Sequence, residues 1–175
     1  LGMHHAFGKA IAFGGGEYGN AVLSRFPIEA KHVHPLPAGP EARVALEVML
    51  GIPYDGGKGK RGVRFISLHL DNSGKATANQ ARKLVKIRGE LNAPIILAGD
   101  FNAVRTDEAM KIIAEAFPLQ KTAGPTIPAG DPKREIDYII PRGMPGAVKK
   151  KVIDEPIASD HRPLLMILPD PPAPK

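Results

Sequence analysis

The chain has 175 residues, of which 43% are hydrophobic, so it is long enough to bury a core and short enough to form one domain. It has no cysteine, which excludes disulfide bonds and thiolate metal sites, and no apolar stretch of the roughly 18 residues that a membrane-spanning helix needs. The net charge of +6 suits a polyanionic partner such as nucleic acid, an anionic membrane or a phosphorylated small molecule, although a few surplus surface lysines give the same value.

The first half of the sequence predicts three strands and a helix. Apolar runs or alternating residues indicate strands over 20–25, 42–50 and 63–70, and the Gly- and Pro-rich stretch 51–62 predicts a hairpin loop. A helix follows, capped by Ser73 or Thr77 and ending near Leu91, with its apolar stripe at Ala81, Leu84, Val85 and Leu91. The histidines of this half that we expect to be exposed strand residues are His4, His5, His32 and His34.

The second half predicts one more helix among four short strands. The helix is expected from an N-cap at Thr106 to about Ala116, and a Pro/Gly-rich loop is expected over 117–134. The strands are expected over 94–98, 135–140, 147–153 and 163–168, and a disordered tail over 169–175. The mixed order of helices and strands predicts an α/β fold with one domain over residues 1–168.

Three polar clusters lie at the ends of predicted strands. They comprise His69 and Asp71, then Asp100 and Asn102, then Ser159, Asp160 and His161. Because strands of one sheet bring their ends together, residues that are distant in sequence can line one edge. Asp137 lies within a strand, where an acid needs a cation or a hydrogen-bond donor beside it.

This set of residues suits the metal-assisted attack of water on phosphorus. Carboxylates such as Asp160 and Asp100 are suitable ligands for Mg²⁺ or Mn²⁺. His161 can act as the general base if Asp137 fixes its tautomer. Asn102 can bind a phosphate oxygen or orient the water, and His69, if protonated, can bind the phosphate or assist the developing charge.

The same residues lie in motifs that resemble those of the endonuclease/exonuclease/phosphatase (DNase I-like) superfamily. Gly99-Asp-Phe-Asn102 resembles its Gly-Asp-Phe-Asn motif, and the segment 157–164 resembles its terminal Ser-Asp-His-x-Pro signature. The segments 134–139, 19–27, 41–46 and 65–69 are similar to further family blocks in the same order. The resemblance covers about residues 1–168 and implies a four-layered sandwich of two packed mixed β-sheets flanked by helices.

The resemblance also implies a role for individual residues. His161 would take the proton from water, Asp137 would support His161, and Asp160 would contact the metal region. Asp100 and Asn102 would orient water and phosphate, while His69 would lie against the scissile phosphate. Arg43 matches an arginine near the site whose role varies between subfamilies, and we assign it to substrate binding.

One departure from the family pattern concerns the beginning of the chain. The family has earlier strands that bear an asparagine and a Gln-Glu pair, whose glutamate is a principal metal ligand, and neither lies in this sequence. We therefore expect the chain to be the C-terminal part of the domain, with a missing N-terminal segment or a partner chain completing the sheet.

Simpler interpretations compete at each position. His161 can be a surface histidine in a turn, and Asp100 and Asn102 can cap the end of a strand. Asp137 can pair with Arg134, and Asp71 is better explained by a helix cap than by metal binding. Gly19 and Asn20 are expected to be structural, and the lysines at 149–151 to form a solvated strand edge.

The function expected from these residues is a divalent-metal-dependent phosphodiester hydrolase, with a nuclease acting on DNA or RNA as the first choice. The alternatives are a phosphodiesterase or phosphatase for lipid or inositol phosphates, and a phosphate-binding module that is inactive because it lacks the glutamate. The sequence leaves the cellular compartment open.

Overall fold

A computed structural model describes residues 1–87, 94–144 and 149–169, with the side chain of Asp55 left out. The predicted helix end near Leu91 and the start of the strand predicted over 147–153 lie outside these residues, as does the predicted tail after Pro169. No helix in the described part of the chain is both long enough and apolar enough to span a membrane.

The central element is a five-stranded sheet with the strand order β3-β4-β5-β6-β7. All neighbouring strands are antiparallel except β5 and β6, which are parallel and are connected through helix α1. The strands span β3 Ile28–Pro35, β4 Val44–Tyr54, β5 Gly59–His69, β6 Ile95–Asp100 and β7 Asp137–Arg142.

Two two-stranded sheets accompany the central sheet. The first pairs β1 with β2, and the second pairs β8 with β9. Strands β1 and β2 contact β3, β4 and β5, whereas β9 contacts β7. The strands span β1 His4–Phe13, β2 Gly16–Ser24, β8 Lys149–Val152 and β9 Leu164–Ile167.

The alternation of side chains along the central strands separates two hydrophobic cores. In β4, Ala45 belongs to the core beneath the helices, while Leu46, Val48 and Leu50 face the β1-β2 hairpin. This period of two is expected for a sheet that is covered on both faces. Helix α1 spans Gly74–Ile87 and helix α2 spans Glu108–Ala116, and both pack on the face of the sheet that bears Ala45. The described residues thus form three of the four predicted layers.

Several local predictions were wrong in instructive ways. The hairpin loop expected over 51–62 is short, because β4 and β5 remain paired as far as Tyr54 and Gly59. Asp107, not Thr106, is the N-cap of α2. Thr77 lies inside α1, where its hydroxyl donates to the carbonyl oxygens of Asp71 and Ser73.

The predicted structural roles of two residues are confirmed. A side chain at Gly19 would collide with the backbone of Gly8, since an added Cβ would lie 2.0 Å from its carbonyl oxygen. The Asn20 amide donates to the carbonyl oxygen of Val44, which connects the hairpin to the central sheet. Both residues therefore fix the position of β2.

Candidate active site

Three of the predicted site residues lie in one row across the central sheet. His69 at the end of β5 is the register partner of Asp100 at the end of β6, and Asp100 is the partner of Asp137 at the start of β7. Directly paired residues project from the same face of a sheet, which here is the face toward β1-β2 and β9. The strand topology alone therefore brings two carboxylates and an imidazole together.

His161 reaches this row from the loop before β9. Its Nδ1 lies 2.8 Å from Oδ2 of Asp137. The alternative expectation was that Asp137 pairs with Arg134, but in the structure its carboxylate contacts His161 instead. Asp137 and His161 border a cleft of about 490 Å³ whose other lining includes Phe65, Ala98, Ile139 and Leu164.

Asp137 has a second donor, which the sequence analysis missed. The Thr126 hydroxyl donates to the same Oδ2 atom at 2.5 Å, and Thr126 is fully buried. The loop around Thr126 is anchored to the His161 segment, because Arg162 N–H donates to the Thr126 carbonyl oxygen and Ala129 N–H donates to that of Asp160. The Pro/Gly-rich loop thus supports the Asp137–His161 pair from behind.

Asp100 is a half-buried carboxylate with a second acid close to it. The ligand atoms of Asp100, Asp137 and His161 all lie within 4.8 Å of one another. Burial and the charge of Asp137 together raise the pKa of Asp100 to about 6, although the hydrogen bond from the Asn102 backbone N–H acts in the opposite direction. Two adjacent acids of this kind are stabilised by a cation.

The Gly-Asp-Phe-Asn motif has a structural explanation at each position. Gly99 has φ +143°, and a Cβ there would lie 1.9 Å from the Leu68 carbonyl oxygen. Phe101 is buried and packs edge-on against Tyr138. Asn102 adopts φ 47°, its N–H donates to Oδ1 of Asp100 and its side-chain amide donates to the Leu70 carbonyl oxygen. The strand-end cap is therefore present, and its hydrogen bond holds Asp100 in place.

His69 is held from two sides. Its Nε2 lies 3.3 Å from Oδ2 of Asp100, and its Nδ1 lies 2.9 Å from the Tyr18 hydroxyl. Burial and the charge of Arg43 lower the pKa of His69. Arg43 itself contacts the Tyr18 hydroxyl and Glu41, and neither Tyr18 nor Glu41 was among the predicted site residues.

Asp160 and Asp71 lie apart from the group of Asp100, Asp137 and His161. The Asp160 side chain accepts a hydrogen bond from Ser159 and is exposed, and among the described residues it is not part of the three-residue group. Asp71 accepts the Ser73 N–H just before α1, which confirms the helix-cap interpretation. Asp100 is therefore the better placed of the two predicted metal ligands.

A match to a family model identifies the class of protein. Residues 2–161 match the Endonuclease/Exonuclease/phosphatase family, so the chain belongs to this family, whose members are hydrolases of phosphoric esters. No curated protein sequence matches the chain significantly.

Solved structures show the same fold, which confirms the predicted DNase I-like sandwich. A functionally unknown conserved protein from Enterococcus faecalis superposes with TM-score 0.80 and 21% identity over 95% of this chain and 77% of that one. The Bacteroides thetaiotaomicron mannosyl-6-phosphatase gives TM-score 0.73 and 20% identity over 95% and 78%. The human Nocturnin catalytic domain with bound sulfate gives TM-score 0.68 and 19% identity over 94% and 73%.

Proposed function

We propose that this chain hydrolyses phosphodiester bonds with water that is activated by His161, and that it acts as a nuclease. The observation that carries the proposal is the 2.8 Å contact between His161 Nδ1 and Asp137, next to a second half-buried carboxylate. An ionised carboxylate only accepts hydrogen bonds, so His161 donates from Nδ1 and keeps a lone pair on Nε2. A neutral imidazole in this tautomer is suited to accept a proton from water.

The proposed reaction needs no covalent intermediate. Nε2 of His161 takes one proton from water, the water oxygen forms a bond to phosphorus, and the bond from phosphorus to the leaving oxygen breaks. The leaving oxygen keeps the electron pair of that bond and takes a proton from solvent water. Asp137 stabilises the imidazolium that forms, while Thr126 fixes the carboxylate. His69 donates from Nε2 to a phosphate oxygen, where negative charge increases.

The residues fit a divalent cation. Asp100 supplies a half-buried carboxylate whose pKa is raised by partial burial and by Asp137, so a cation beside it would relieve both effects. We propose Mg²⁺ or Mn²⁺ with Asp100 as a ligand, because such ions prefer carboxylate oxygens. When bound, the cation would supply Lewis-acid stabilisation of charge on the phosphate.

The substrate proposal rests on charge. The net charge of +6 favours a polyanion, and Lys149 and Lys151 are exposed on β8, the strand that pairs with β9. Since relatives with this fold include a mannosyl-6-phosphatase and a Streptomyces sphingomyelinase C, sugar phosphates and choline phospholipids are the substrates to compare.

The test is a substrate panel with a base-deficient variant. The protein is assayed with Mn²⁺ and with Mg²⁺ on bis-p-nitrophenyl phosphate, plasmid DNA, RNA, mannose 6-phosphate and sphingomyelin, alongside His161→Ala. We expect cleavage of the diester and of nucleic acid, lost in the variant. Turnover confined to mannose 6-phosphate or sphingomyelin would contradict the nuclease proposal, and unchanged turnover in His161→Ala would contradict the assignment of the base. Tight binding of phosphate without turnover would support the binding-module alternative.

A further inference from the structure

We propose that Tyr18 is a positioning residue that keeps the neutral ring of His69 in the tautomer with hydrogen on Nε2. Tyr18 lies on β2 and His69 lies at the end of β5, so two different sheets meet at this contact. The mechanistic part of the inference rests on the proposed function, whereas the tautomer itself can be measured without any turnover.

The direction of the hydrogen bonds follows from the donors. Arg43 Nη1 lies 3.1 Å from the Tyr18 hydroxyl, and a guanidinium can only donate, so the Tyr18 oxygen accepts. The Tyr18 hydroxyl must then donate its own hydrogen to another acceptor. In the described part of the chain, the acceptor within hydrogen-bonding distance is His69 Nδ1, at 2.9 Å. A neutral imidazole that accepts at Nδ1 carries its hydrogen on Nε2.

Arg43 is fixed well enough to impose this direction. Its side chain is only 11% exposed, Nη1 lies 3.0 Å from Glu41, and the guanidinium carbon lies 5.8 Å from the centre of the Tyr18 ring. Among the described residues, its buried Nε atom has no hydrogen-bond partner. We therefore infer that Arg43 influences the site through Tyr18, which replaces the direct substrate contact expected from the sequence.

The tautomer decides what His69 presents to the reacting group. With hydrogen on Nε2, the ring donates toward Oδ2 of Asp100, 3.3 Å away, and toward a phosphate oxygen bound beside it. With hydrogen on Nδ1, the ring would present a lone pair to these negatively charged oxygens and would repel them. The hydrogen bonds from Arg43 to Tyr18 and from Tyr18 to His69 thus select the tautomer that can donate to the phosphate.

The direct test is ¹⁵N NMR of the histidine side chains at pH 8, where ordinary imidazoles are neutral. Long-range ¹H–¹⁵N spectra of the full chain and of Tyr18→Phe are compared, with His69→Gln used to assign the His69 signals. We expect a protonated Nε2 and an unprotonated Nδ1 in the unchanged protein, and a mixture of tautomers in Tyr18→Phe. Hydrogen on Nδ1 in the unchanged protein would overturn the inference, as would a spectrum that Tyr18→Phe leaves unchanged.

A kinetic cycle separates positioning from general stability. Tyr18→Phe is expected to lower kcat about 10-fold with little change in KM, which is less than the roughly 100-fold loss expected when His69→Gln removes the imidazole that hydrogen-bonds the phosphate. In the His69→Gln background, Tyr18→Phe should have no further effect on kcat. Independent, multiplicative losses would contradict the inference.

Tyr54→Phe is the matched control for the kinetic cycle. It removes a hydroxyl at the far end of β5, because Tyr54 pairs with Gly59 while His69 lies ten residues further along the strand. This distance is about 33 Å along an extended strand. Tyr54→Phe should leave both kcat and the His69 spectrum unchanged. Absence of turnover on every substrate, with the expected NMR result, would refute the proposed function and leave the tautomer assignment intact.

Discussion

Two groups of charged side chains lie on opposite faces of the same sheet, and they are stabilised differently. On the face toward the helices, Glu47 contacts Arg64 at 2.7 Å and His34 at 2.7 Å. Arg64 also donates to the carbonyl oxygen of Ile87 in α1. We call Glu47, Arg64 and His34 the compensated group, since a buried acid is here neutralised by its own neighbours.

On the other face, the row of Asp100 and Asp137 holds two acids side by side. Among the described residues, Asp100 forms its ion pair with His69, and Asp137 forms its ion pair with His161. Neither partner is a permanently charged lysine or arginine. We call Asp100, Asp137 and His161 the strand-end group. We infer that the compensated group stabilises the fold, while the strand-end group destabilises it and is retained for the proposed catalysis.

The largest expected difference is in catalysis, and it compares two histidines that each contact a carboxylate. His161→Ala should lower kcat by about 10²- to 10⁴-fold, because it removes the proposed general base. His34→Ala belongs to the compensated group and should retain the kcat of the folded protein. Both rates are measured on bis-p-nitrophenyl phosphate at saturating Mn²⁺. Equal losses in the two variants would remove the functional distinction between the groups.

The next effect is on stability. Glu47→Gln removes the negative charge of Glu47 beside the Arg64 guanidinium, which is 5% exposed, and should lower the free energy of unfolding by about 3 kcal/mol. Chemical denaturation monitored by circular dichroism measures this value. Glu108→Gln, which loses an exposed contact with Arg82 on α1, is the control and should change stability by less than about 1 kcal/mol. A loss at Glu47 no larger than this control would contradict the assigned role.

The pH dependence of stability should have opposite signs in the two groups. Burial raises the pKa of Glu47, but the hydrogen bonds and charges of Arg64 and His34 outweigh this and lower it below 4.5. Its contribution is therefore present above pH 4.5 and is lost as the pH falls through the lower folded value. The pKa of Asp100 is raised from 3.8 to about 6, so its contribution is present below pH 3.8 and is lost as the pH rises through 6.

This difference is measured from unfolding curves between pH 3 and 8 in the presence of a chelator. The gap in stability between the unchanged protein and Glu47→Gln should shrink in acid. The free energy of unfolding of Asp100→Asn should increasingly exceed that of the unchanged protein as the pH rises from 4 to 7. Parallel curves for the unchanged protein and Asp100→Asn would show that the two acids do not differ in this way.

The smallest expected effect concerns the support of Asp137. Thr126→Val removes the hydroxyl that donates to Asp137 and should lower kcat roughly 10-fold, as expected when an orienting partner is lost. Thr122→Val changes an exposed threonine of the same loop and should have no effect on kcat. If both variants behave alike, the buried hydroxyl does not orient the pair.

Sequence patterns placed Asp100 and His161 of the strand-end group next to predicted apolar strands, and Asp137 within one. His69 and Asp100 follow runs of buried residues, and a parallel crossover through α1 places those ends side by side. The pairing of His161 with Asp137 was predicted from the chemistry of a general base and from the family resemblance, since the two residues lie 24 positions apart in sequence.

Other parts of the site could not be predicted from local patterns. Thr126 lies in an irregular loop whose position depends on backbone hydrogen bonds to Arg134 and Arg162. His34 was expected to be exposed and is half-buried, because its ring contacts the Glu47 carboxylate on the adjacent strand. The glycines and proline of 51–62 resemble a loop, yet the cross-strand pairing of β4 and β5 continues through them. In each case tertiary contacts determine the outcome.

The most direct test of this account is a joint measurement on Asp100→Asn at pH 8, of hydrolysis with Mn²⁺ and of unfolding without metal. We expect a loss of turnover of at least roughly 100-fold, since the variant removes a proposed metal ligand. We also expect an unfolding free energy raised on the order of 2 kcal/mol, because one of two adjacent half-buried acids is neutralised. Retained turnover, or a loss of stability like that expected for Glu47→Gln, would contradict the claim that these acids form a hydrolytic centre.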